Sequence, residues 1–353
     1  MGIEEFRGSG EVREGHRFDE ARLQAWLLDN IADFCGPLTV RQFKGGQSNP
    51  TFQLITPLAT YVLRRKPMGQ LLKGAHAVDR EARVMAALGK VGFPVPRIYG
   101  LCTDDAVIGS WFYVMGFAAG RTFWDASLTE IDRAARPHYF DAMNATLAQL
   151  HGVDYRAVGL EDYGRPGNYF QRQIERWSRQ YRDEGDAGRD PHLDKLLEWL
   201  PAHIPPGDEC CLVHGDFRLD NLVFHADEPR IVAVLDWELS TLGHPLADFA
   251  YHLMMYRMPP VALAGLAGVD LAAVNIPSEA QYVASYCRRT GRGGIPHLDF
   301  YMAFNFFRFA AIIHGIKGRV ARGSAASANA DQLVKWLPLY AELGWQQAER
   351  AGL

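Results

Sequence analysis

The sequence predicts an α+β protein of two lobes, a small antiparallel sheet with one inserted helix and a larger, mainly helical part. Two observations lead to this prediction. Strand-like runs fill most of residues 38–116 and are interrupted by a single helical stretch. Past Gly120, most periodic segments have helical spacing. We therefore expect a flexible segment 1–18, a first lobe 19–116 and a second lobe 117–353, with a cleft between the lobes.

The elements of the first lobe follow in chain order. Asp19 is a candidate N-cap, and apolar residues at helical spacing follow it as far as Ile31. A glycine turn is expected at 45–49 and the inserted helix at 75–88. The predicted strands lie at 38–43, 51–55, 60–65, 97–102 and 111–115.

The second lobe is predicted to be helical around one strand pair. A strand pair is expected to bracket residues 212–236. One amphipathic helix ends at His151, and another contains Ile174 and Tyr181. Further helices are predicted at 246–258, 279–289 and 299–319.

Bulk composition narrows the class of protein. The chain has 353 residues, of which 48% are hydrophobic and 22% charged, as in an ordinary globular protein. The net charge of −4 argues against non-specific nucleic-acid binding. Five cysteines without a C-x-x-C pair indicate neither a disulfide framework nor a zinc site. The acidic N-terminus lacks a signal peptide, and the apolar run at 301–313 is too short to span a bilayer. We expect a cytoplasmic protein with no membrane or nucleic-acid partner, as a monomer or homodimer.

The strongest chemical signal is the run His-Gly-Asp-Phe-Arg-Leu-Asp-Asn at residues 214–221. Asp216 and Asn221 share one short loop, and Asp236 follows the next apolar strand. Phosphoryl transfer needs a carboxylate that orients the attacking hydroxyl and accepts its proton, and it needs oxygen ligands for Mg²⁺. We therefore predict Asp216 as the base and Asn221 and Asp236 as metal ligands. The D-x-x-x-x-N spacing with a later acid is that of protein kinases.

With these motifs the chain resembles the aminoglycoside phosphotransferase and choline-kinase-like family. Within that family it is most similar to the kinase domain of acyl-CoA dehydrogenase family members 10 and 11. The likeness rests on 214–221, 235–238 and 240–248. It implies a bilobal protein-kinase-like fold that uses ATP, or GTP, with Mg²⁺. It also implies transfer of the γ-phosphoryl group to a hydroxyl of a small-molecule acceptor.

The resemblance leaves the acceptor open. The acyl-CoA dehydrogenase branch implies a hydroxyacyl-CoA or a hydroxy acid. Arg308, Lys317, Arg319 and Arg322 make one end of the second lobe basic, which favours an anionic acceptor over an aminoglycoside or choline.

The resemblance also assigns nucleotide contacts to the first lobe. Ser48 and Asn49, in the glycine turn, are expected to donate to phosphate oxygens. The stretch containing Met115, Gly116 and Ala118 resembles the hinge between lobes that binds adenine through backbone atoms. Met115 would line the adenine pocket, although a buried methionine is also an ordinary core residue.

Charged residues are expected to complete the site. Arg64 aligns with the phosphate-binding lysine of the V-A-I-K pattern, while Arg65 points to the other sheet face unless the register is shifted by one. Glu81 is the predicted partner of Arg64, with Asp79 as the alternative. Arg218 is a candidate catalytic residue that steadies the transferring phosphoryl group or the substrate, and a surface role is the alternative.

Some residues near the motif have more than one interpretation. His214 is expected to brace the loop by hydrogen bonding, rather than to act in the chemistry. Asp248 is expected either to cap a helix or to hydrogen bond to the catalytic loop. Three other functions stay open: a metal-dependent hydrolase, a non-catalytic nucleotide-binding protein and a protein kinase. The absence of H-E-x-x-H, D-F-G and A-P-E patterns argues against the first and the last.

Overall fold

A computed structural model describes residues 8–44, 49–68, 76–260, 265–323 and 330–352. The first lobe is built on a six-stranded sheet in which every pair of neighbours is antiparallel. The strand order across the sheet is β1-β2-β3-β4-β6-β5. In chain order the strands are β1 (Ser9–Gly10), β2 (Thr39–Phe43), β3 (Thr51–Ile55), β4 (Thr60–Arg65), β5 (Ile98–Cys102) and β6 (Phe112–Gly116). The five predicted strands are present within one residue at each end.

The two faces of the sheet pack against different helices. The helices α1 (Glu20–Asn30) and α3 (Asp105–Ile108) pack on one face of the sheet, and the apolar side chains between them form a small separate core. Asp19 caps α1 as predicted, because its side chain accepts a hydrogen bond from the backbone N–H of Arg22. The other face packs on α2 (Val78–Lys90), and this core continues without a break into the second lobe. A functional side chain on this second face therefore lies next to the interface between the lobes.

Part of the segment that the sequence predicts to be flexible carries structure. Within residues 8–18, β1 pairs with β2, and Glu14–His16 forms one 3₁₀ turn. The buried guanidinium of Arg65 donates to the carbonyl of His16 over 2.9 Å. Because a buried guanidinium needs acceptors, this contact ties the segment to the sheet.

The second lobe is helical around two short β ribbons. Its helices are α4 (Arg136–His151), α5 (Tyr169–Asp183), α6 (Pro191–Ala202), α7 (Pro245–Leu253), α8 (Glu279–Thr290), α9 (Leu298–Ala321), α10 (Ala330–Val334) and α11 (Leu337–Arg350). The central helix is α9, which is buried along most of its length and contacts α5, α6, α7, α10 and α11. Of these helices, α6, α10 and α11 were not predicted from the sequence. Each helix among the described residues is too short or too polar to cross a lipid bilayer.

The β ribbons correct the prediction of one strand pair within 212–236. Strand β8 (Leu222–Phe224) does pair with β9 (Ile231–Val234). Strand β7 (Cys211–Val213) pairs instead with β10 (Thr241–Gly243), which lies beyond the predicted range. The two ribbons hold the polar loop 214–221 between β7 and β8 and bring the end of β9 beside it.

Candidate active site

The loop after β7 depends on one glycine. Gly215 has a φ of +83°, and a Cβ atom there would lie 2.7 Å from the backbone oxygen of Leu239. Only glycine has neither the side chain nor the conformational penalty that this turn would impose. The chain then passes through a 3₁₀ turn, Leu219–Asn221, and enters β8.

His214 braces this loop, as the sequence predicts. Its Nδ1 accepts a hydrogen bond from the backbone N–H of Asp216 over 3.1 Å. Its Nε2 lies 2.9 Å from the carbonyl oxygen of Leu235, to which it must donate. These two contacts assign the neutral imidazole with the proton on Nε2. His214 therefore acts as a fixed link between the loop and the end of β9.

Asp248, on α7, anchors the same loop through the loop's backbone N–H groups. One carboxylate oxygen accepts from the backbone N–H of His214 over 2.7 Å, and the other accepts from Gly215 over 2.8 Å. His151 lies 3.2 Å from the first of these oxygens. Burial raises the pKa of Asp248, but the contacts with His151 and the loop outweigh it and hold the pKa below the ordinary value. Of the two predicted roles, Asp248 has the contact with the loop, and the side chain of His244 caps α7.

The Asp216 carboxylate is held at the mouth of the loop by three side chains. Asn221 donates from Nδ2 to Oδ2 over 3.0 Å, and the hydroxyl of Tyr251 donates to Oδ1 over 2.5 Å. The Nε of Arg218 lies 3.1 Å from Oδ1. The Asp216 side chain is 17% exposed, so it keeps some access to solvent while its orientation is fixed.

Arg218 forms ion pairs with two acids, Asp216 and Asp220. Besides Asp216, its guanidinium contacts Asp220, with Nη2 3.0 Å from Oδ2. Burial alone would lower the pKa of Arg218, but Asp216 and Asp220 outweigh it and raise the pKa. The cation therefore sits beside the carboxylate predicted to be the base, about one third exposed.

Asp236 brings a second acid to the cleft. It follows β9 in a left-handed conformation, with a φ of +64°. Its Oδ1 lies 2.7 Å from Nη2 of Arg64, which belongs to the other lobe. Glu238 is 3.4 Å from the same nitrogen. Asp236 and Glu238 of the second lobe therefore form ion pairs with Arg64 of the first lobe.

Arg64 is held from its own lobe by Glu81. The Nε of Arg64 lies 3.1 Å from Oε2 of Glu81, which is 1% exposed. Burial would lower the pKa of Arg64, but Asp236 and Glu81 raise it well above the ordinary value. Burial raises the pKa of Glu81, opposed by Arg64, by the hydroxyl of Tyr113 over 3.1 Å and by the amide of Asn49. The contact between the two groups offsets part of the cost of burying each of them.

The alternatives to this pair face elsewhere. Arg65 lies on the opposite sheet face, where its guanidinium is 5.2 Å from the ring centroid of Phe18 and 5.4 Å from that of Phe52. Asp79 is 3.9 Å from Lys66 at a half-exposed position. The alternation of side chains along β4 therefore sends Arg64, and not Arg65, to the cleft.

Of the two predicted phosphate contacts in the glycine turn, Asn49 has other partners in the structure and Ser48 stays a prediction. Asn49 is fully buried, and its amide binds Glu81 over 3.1 Å and His76 over 2.9 Å. It supports Glu81 instead of facing phosphate oxygens in an open cleft, because burial of the amide requires internal partners. Ser48, with the rest of the glycine turn 45–47, lies outside the described residues.

The predicted hinge, which contains Met115, Gly116 and Ala118, begins at the end of β6, the strand that pairs with β4 and its residue Arg64. In the β4–β6 ladder, Arg64 is paired with Tyr113 and Val62 with Met115. Because alternate residues share a face, Met115 lies on the same side of the sheet as Tyr113. The backbone N–H of Gly116 donates to the backbone carbonyl oxygen of Arg97 over 2.8 Å, and Ala118 is half-buried.

Sequence reasoning missed Tyr251 and Tyr113. A signal for Tyr251 was present, because it lies three residues after Asp248 on a predicted helix and so shares its face. Tyr113 carried no signal, since its partner Glu81 lies 32 residues away in the chain.

The donor set fits a hard cation. Asn221 uses its amide nitrogen to bind Asp216, so its Oδ1 faces away from that contact and offers a neutral oxygen. Asp236 offers carboxylate oxygens, which Mg²⁺ prefers. Among the described residues no three His, Cys, Asp or Glu side chains form a metal-binding group. One oxygen each from Asn221 and Asp236 would be enough for Mg²⁺, because in such sites substrate phosphates and water supply the remaining ligands of the octahedral coordination.

The fold and the side chains around Asp216 are those of a kinase-like phosphotransferase. Residues 39–282 match the phosphotransferase enzyme family. The chain belongs to this family, which confirms the predicted resemblance and the predicted class of enzyme, a phosphotransferase.

Relatives support this assignment. The chain is 43% identical to mouse acyl-CoA dehydrogenase family member 10 over 90% of its length, and 43% identical to chicken family member 11 over 97%. It spans only 30% and 45% of the lengths of these two relatives.

Solved structures show the same fold. A putative aminoglycoside phosphotransferase from Ralstonia eutropha is 50% identical, with a TM-score of 0.87 over 96% of this chain and 100% of that one. A more distant aminoglycoside phosphotransferase, in a complex with AMP-PNP and hygromycin B, is 17% identical. Its TM-score is 0.61 over 94% of this chain and 99% of that one. The predicted bilobal α+β fold is confirmed.

Proposed function

We propose that the protein transfers the γ-phosphoryl group of ATP to a hydroxyl of a small molecule, with Asp216 as the base. The observation that carries this proposal is the contact of Arg64 with Asp236 over 2.7 Å, made between residues of opposite lobes. It brings the candidate phosphate-binding cation and the candidate metal-binding acid to one place, beside the loop that holds Asp216. Phosphoryl transfer needs this combination of charges.

The nucleotide would lie between the lobes. Arg64 would bind phosphate oxygens with two parallel N–H donors, and Glu81 keeps its side chain extended toward the cleft. Adenine would bond to the backbone at Gly116 and Ala118, with Met115 beside it. Asn221 and Asp236 would hold Mg²⁺, which neutralises negative charge on the phosphates when bound. The structural neighbour that binds AMP-PNP supports ATP as the nucleotide.

The transfer step moves one proton and one phosphoryl group. The O–H bond of the acceptor breaks, and its proton passes to the Asp216 carboxylate. The acceptor oxygen bonds to the γ-phosphorus as the bond to the β-phosphate oxygen breaks, and ADP leaves with that electron pair. Arg218, held beside Asp216, offers a positive charge near the transferred group.

We propose an anionic or acyl-CoA-type acceptor, a hydroxy acid or a hydroxyacyl-CoA. Arg308 supports this choice, because it is 6% exposed, donates to the carbonyl of Gly215 over 2.7 Å and has no carboxylate partner within the described ranges. A buried cation without a counter-charge beside the base favours an anion or a polar carbonyl. The names of the two curated relatives, as acyl-CoA dehydrogenase family members, agree with an acyl substrate. The alternative is an aminoglycoside or choline-type acceptor, as the names of the structural neighbours suggest.

Two substitutions test the roles. Asp216→Ala should lower kcat by orders of magnitude and leave the affinity for ATP nearly unchanged, since the base acts only in the chemical step. Asp236→Ala should abolish Mg²⁺-dependent binding of ATP, measured by calorimetry. Asp227→Ala, an exposed acid on the β8–β9 turn, is the control and should behave as wild type. Full activity of Asp216→Ala would refute the assignment of the base.

A rate comparison tests the acceptor. ADP formation is measured with 4-hydroxybutyryl-CoA, kanamycin and choline, and the phosphorylated product is identified by its mass. We expect turnover of the acyl-CoA, and turnover of kanamycin alone would reverse the ranking. A metal-dependent hydrolase is separated by Asn221→Asp, which should help a hydrolytic metal site and impair a kinase site. A non-catalytic nucleotide-binding protein would bind ATP and form no product with any acceptor.

A further inference from the structure

We propose that Tyr251 is a positioning residue, which fixes the Asp216 carboxylate so that Oδ2 alone receives the acceptor proton. The inference rests on the proposed function and goes beyond it by naming the reactive oxygen and the group that selects it. Tyr251 lies on α7, outside the loop motif, and was not among the residues predicted from the sequence.

The contacts of the carboxylate carry the argument. Oδ1 has the hydroxyl of Tyr251 at 2.5 Å and Nε of Arg218 at 3.1 Å. Within the part of the chain that the structure describes, Oδ2 has one hydrogen-bond partner, the amide of Asn221 at 3.0 Å. Each carboxylate oxygen accepts in about two lone-pair directions, and each has one of these hydrogen bonds. The guanidinium of Arg218 lies against Oδ1 as an ion pair without a hydrogen bond from Nε, so a hydroxyl proton that approaches Oδ1 meets a cation, and Oδ2 is the more open oxygen. An acceptor hydroxyl can therefore donate its proton to Oδ2 without displacing a protein donor.

The tyrosine is itself held rigidly. Its residue is 8% exposed, and α7 is tied to the loop by Asp248, which shares its helix face at a spacing of three residues. Arg308 lies 5.4 Å from the centroid of the Tyr251 ring and donates to the carbonyl of Gly215 in the loop. A ring clamped between α9 and the loop holds its hydroxyl at one position, as precise catalytic geometry requires.

The tyrosine also stays a donor. Burial and the neighbouring Asp216 raise the pKa of the Tyr251 hydroxyl well above its ordinary value. The proton of the hydroxyl therefore remains on Tyr251 throughout the pH range of an assay, and Tyr251 does not compete as a base.

Tyr251→Phe tests the proposal, because it removes the hydroxyl and keeps the ring. The loss of a hydrogen bond to a charged group should lower kcat for 4-hydroxybutyryl-CoA by roughly 10- to 100-fold. The KM for ATP and the melting temperature should stay near the wild-type values. Tyr256→Phe is the matched control, since Tyr256 is 7% exposed and donates to the carbonyl of Pro277 over 3.0 Å. It should retain the wild-type kcat.

A double variant separates positioning from a structural role. In an Asp216→Asn background, Tyr251→Phe should change the residual rate less than threefold, because there is no base left to position. A Tyr251→Phe enzyme with wild-type kcat would overturn the inference and leave the proposed function standing. An equal loss in both backgrounds, or a loss matched by Tyr256→Phe, would also overturn it. A wild-type protein that phosphorylates none of the three acceptors would refute the proposed function, and the inference with it.

Discussion

The substitution Asp248→Asn should both destabilise the protein and lower its kcat. The carboxylate accepts from two backbone N–H groups of the catalytic loop and lies within hydrogen-bond distance of His151. An asparagine keeps one acceptor oxygen and turns an NH₂ group toward a buried donor. One charge-assisted hydrogen bond is lost, and one buried N–H is left without a partner.

The magnitude follows from these two losses. A hydrogen bond to a charged group contributes roughly 1.5–3 kcal/mol, and an orphaned buried donor costs roughly 1–3 kcal/mol. The sum, about 4 kcal/mol, is within the range for breaking a buried charged contact. For a chain of 353 residues the unfolding entropy near the melting temperature is about 0.7 kcal/mol/K. The melting temperature should therefore fall by about 5 °C, and kcat should fall as the loop that carries Asp216 shifts.

Calorimetry and steady-state kinetics check this prediction together. Asp132→Asn is the control, because Asp132 also accepts from a backbone N–H, that of Ala134 over 2.8 Å, but is exposed. Its melting temperature should change by less than about 1 °C. If Asp248→Asn melts within 1 °C of wild type and keeps its kcat, the loop is not anchored in the way that these contacts indicate.

Three further outcomes are expected. Arg64→Lys should raise the KM for ATP by roughly tenfold in steady-state kinetics, since an ammonium group cannot replace a two-pronged guanidinium. Burial lowers the pKa of His252 to about 4, below its ordinary value of 6.5, so the unfolded chain binds the extra proton first. The free energy of unfolding, measured in urea, should therefore fall by about 2 kcal/mol from pH 7 to pH 5. In the His252→Asn variant the same change of pH should lower it by less. Gly120→Ala should lower the melting temperature, because its Cβ would lie 2.1 Å from the backbone oxygen of Phe224, whereas Gly89→Ala, with 3.8 Å to its nearest neighbour, should not.

Local patterns predicted the elements that depend on local chemistry. The alternation of apolar and polar side chains marks β3, and the N-cap residue Asp19 marks the start of α1. The helix α6 opens with an equally good local signal, the N-cap Asp190 followed by Pro191, so its start is predictable from the sequence. The partner of β7 could not be predicted, since three-residue strands have no periodicity and pair through the fold.

The site was predictable where one short loop defines it. Asp216 and Asn221 lie five residues apart and bind each other, so their spacing already contained their geometry. The choice between Arg64 and Arg65 needed the strand register, and the support of Glu81 by Asn49 and Tyr113 needed the packed lobe. Contacts between residues far apart in sequence leave no mark on local composition, and these contacts complete the site.

The acids around Arg64 explain why an arginine stands where the kinase pattern has a lysine. Its guanidinium reaches Glu81 in its own lobe with Nε, and Asp236 and Glu238 in the other lobe with Nη2. A lysine presents one point charge and could not satisfy both directions at once, because the acids approach different nitrogens of a planar group. The arginine therefore joins the lobes as well as carrying charge. Neutralisation of Asp236 by a bound cation would weaken one of these contacts and leave Nη2 available to an incoming phosphate. On this reasoning, binding of ATP at Arg64 and of a divalent cation at Asp236 should strengthen each other.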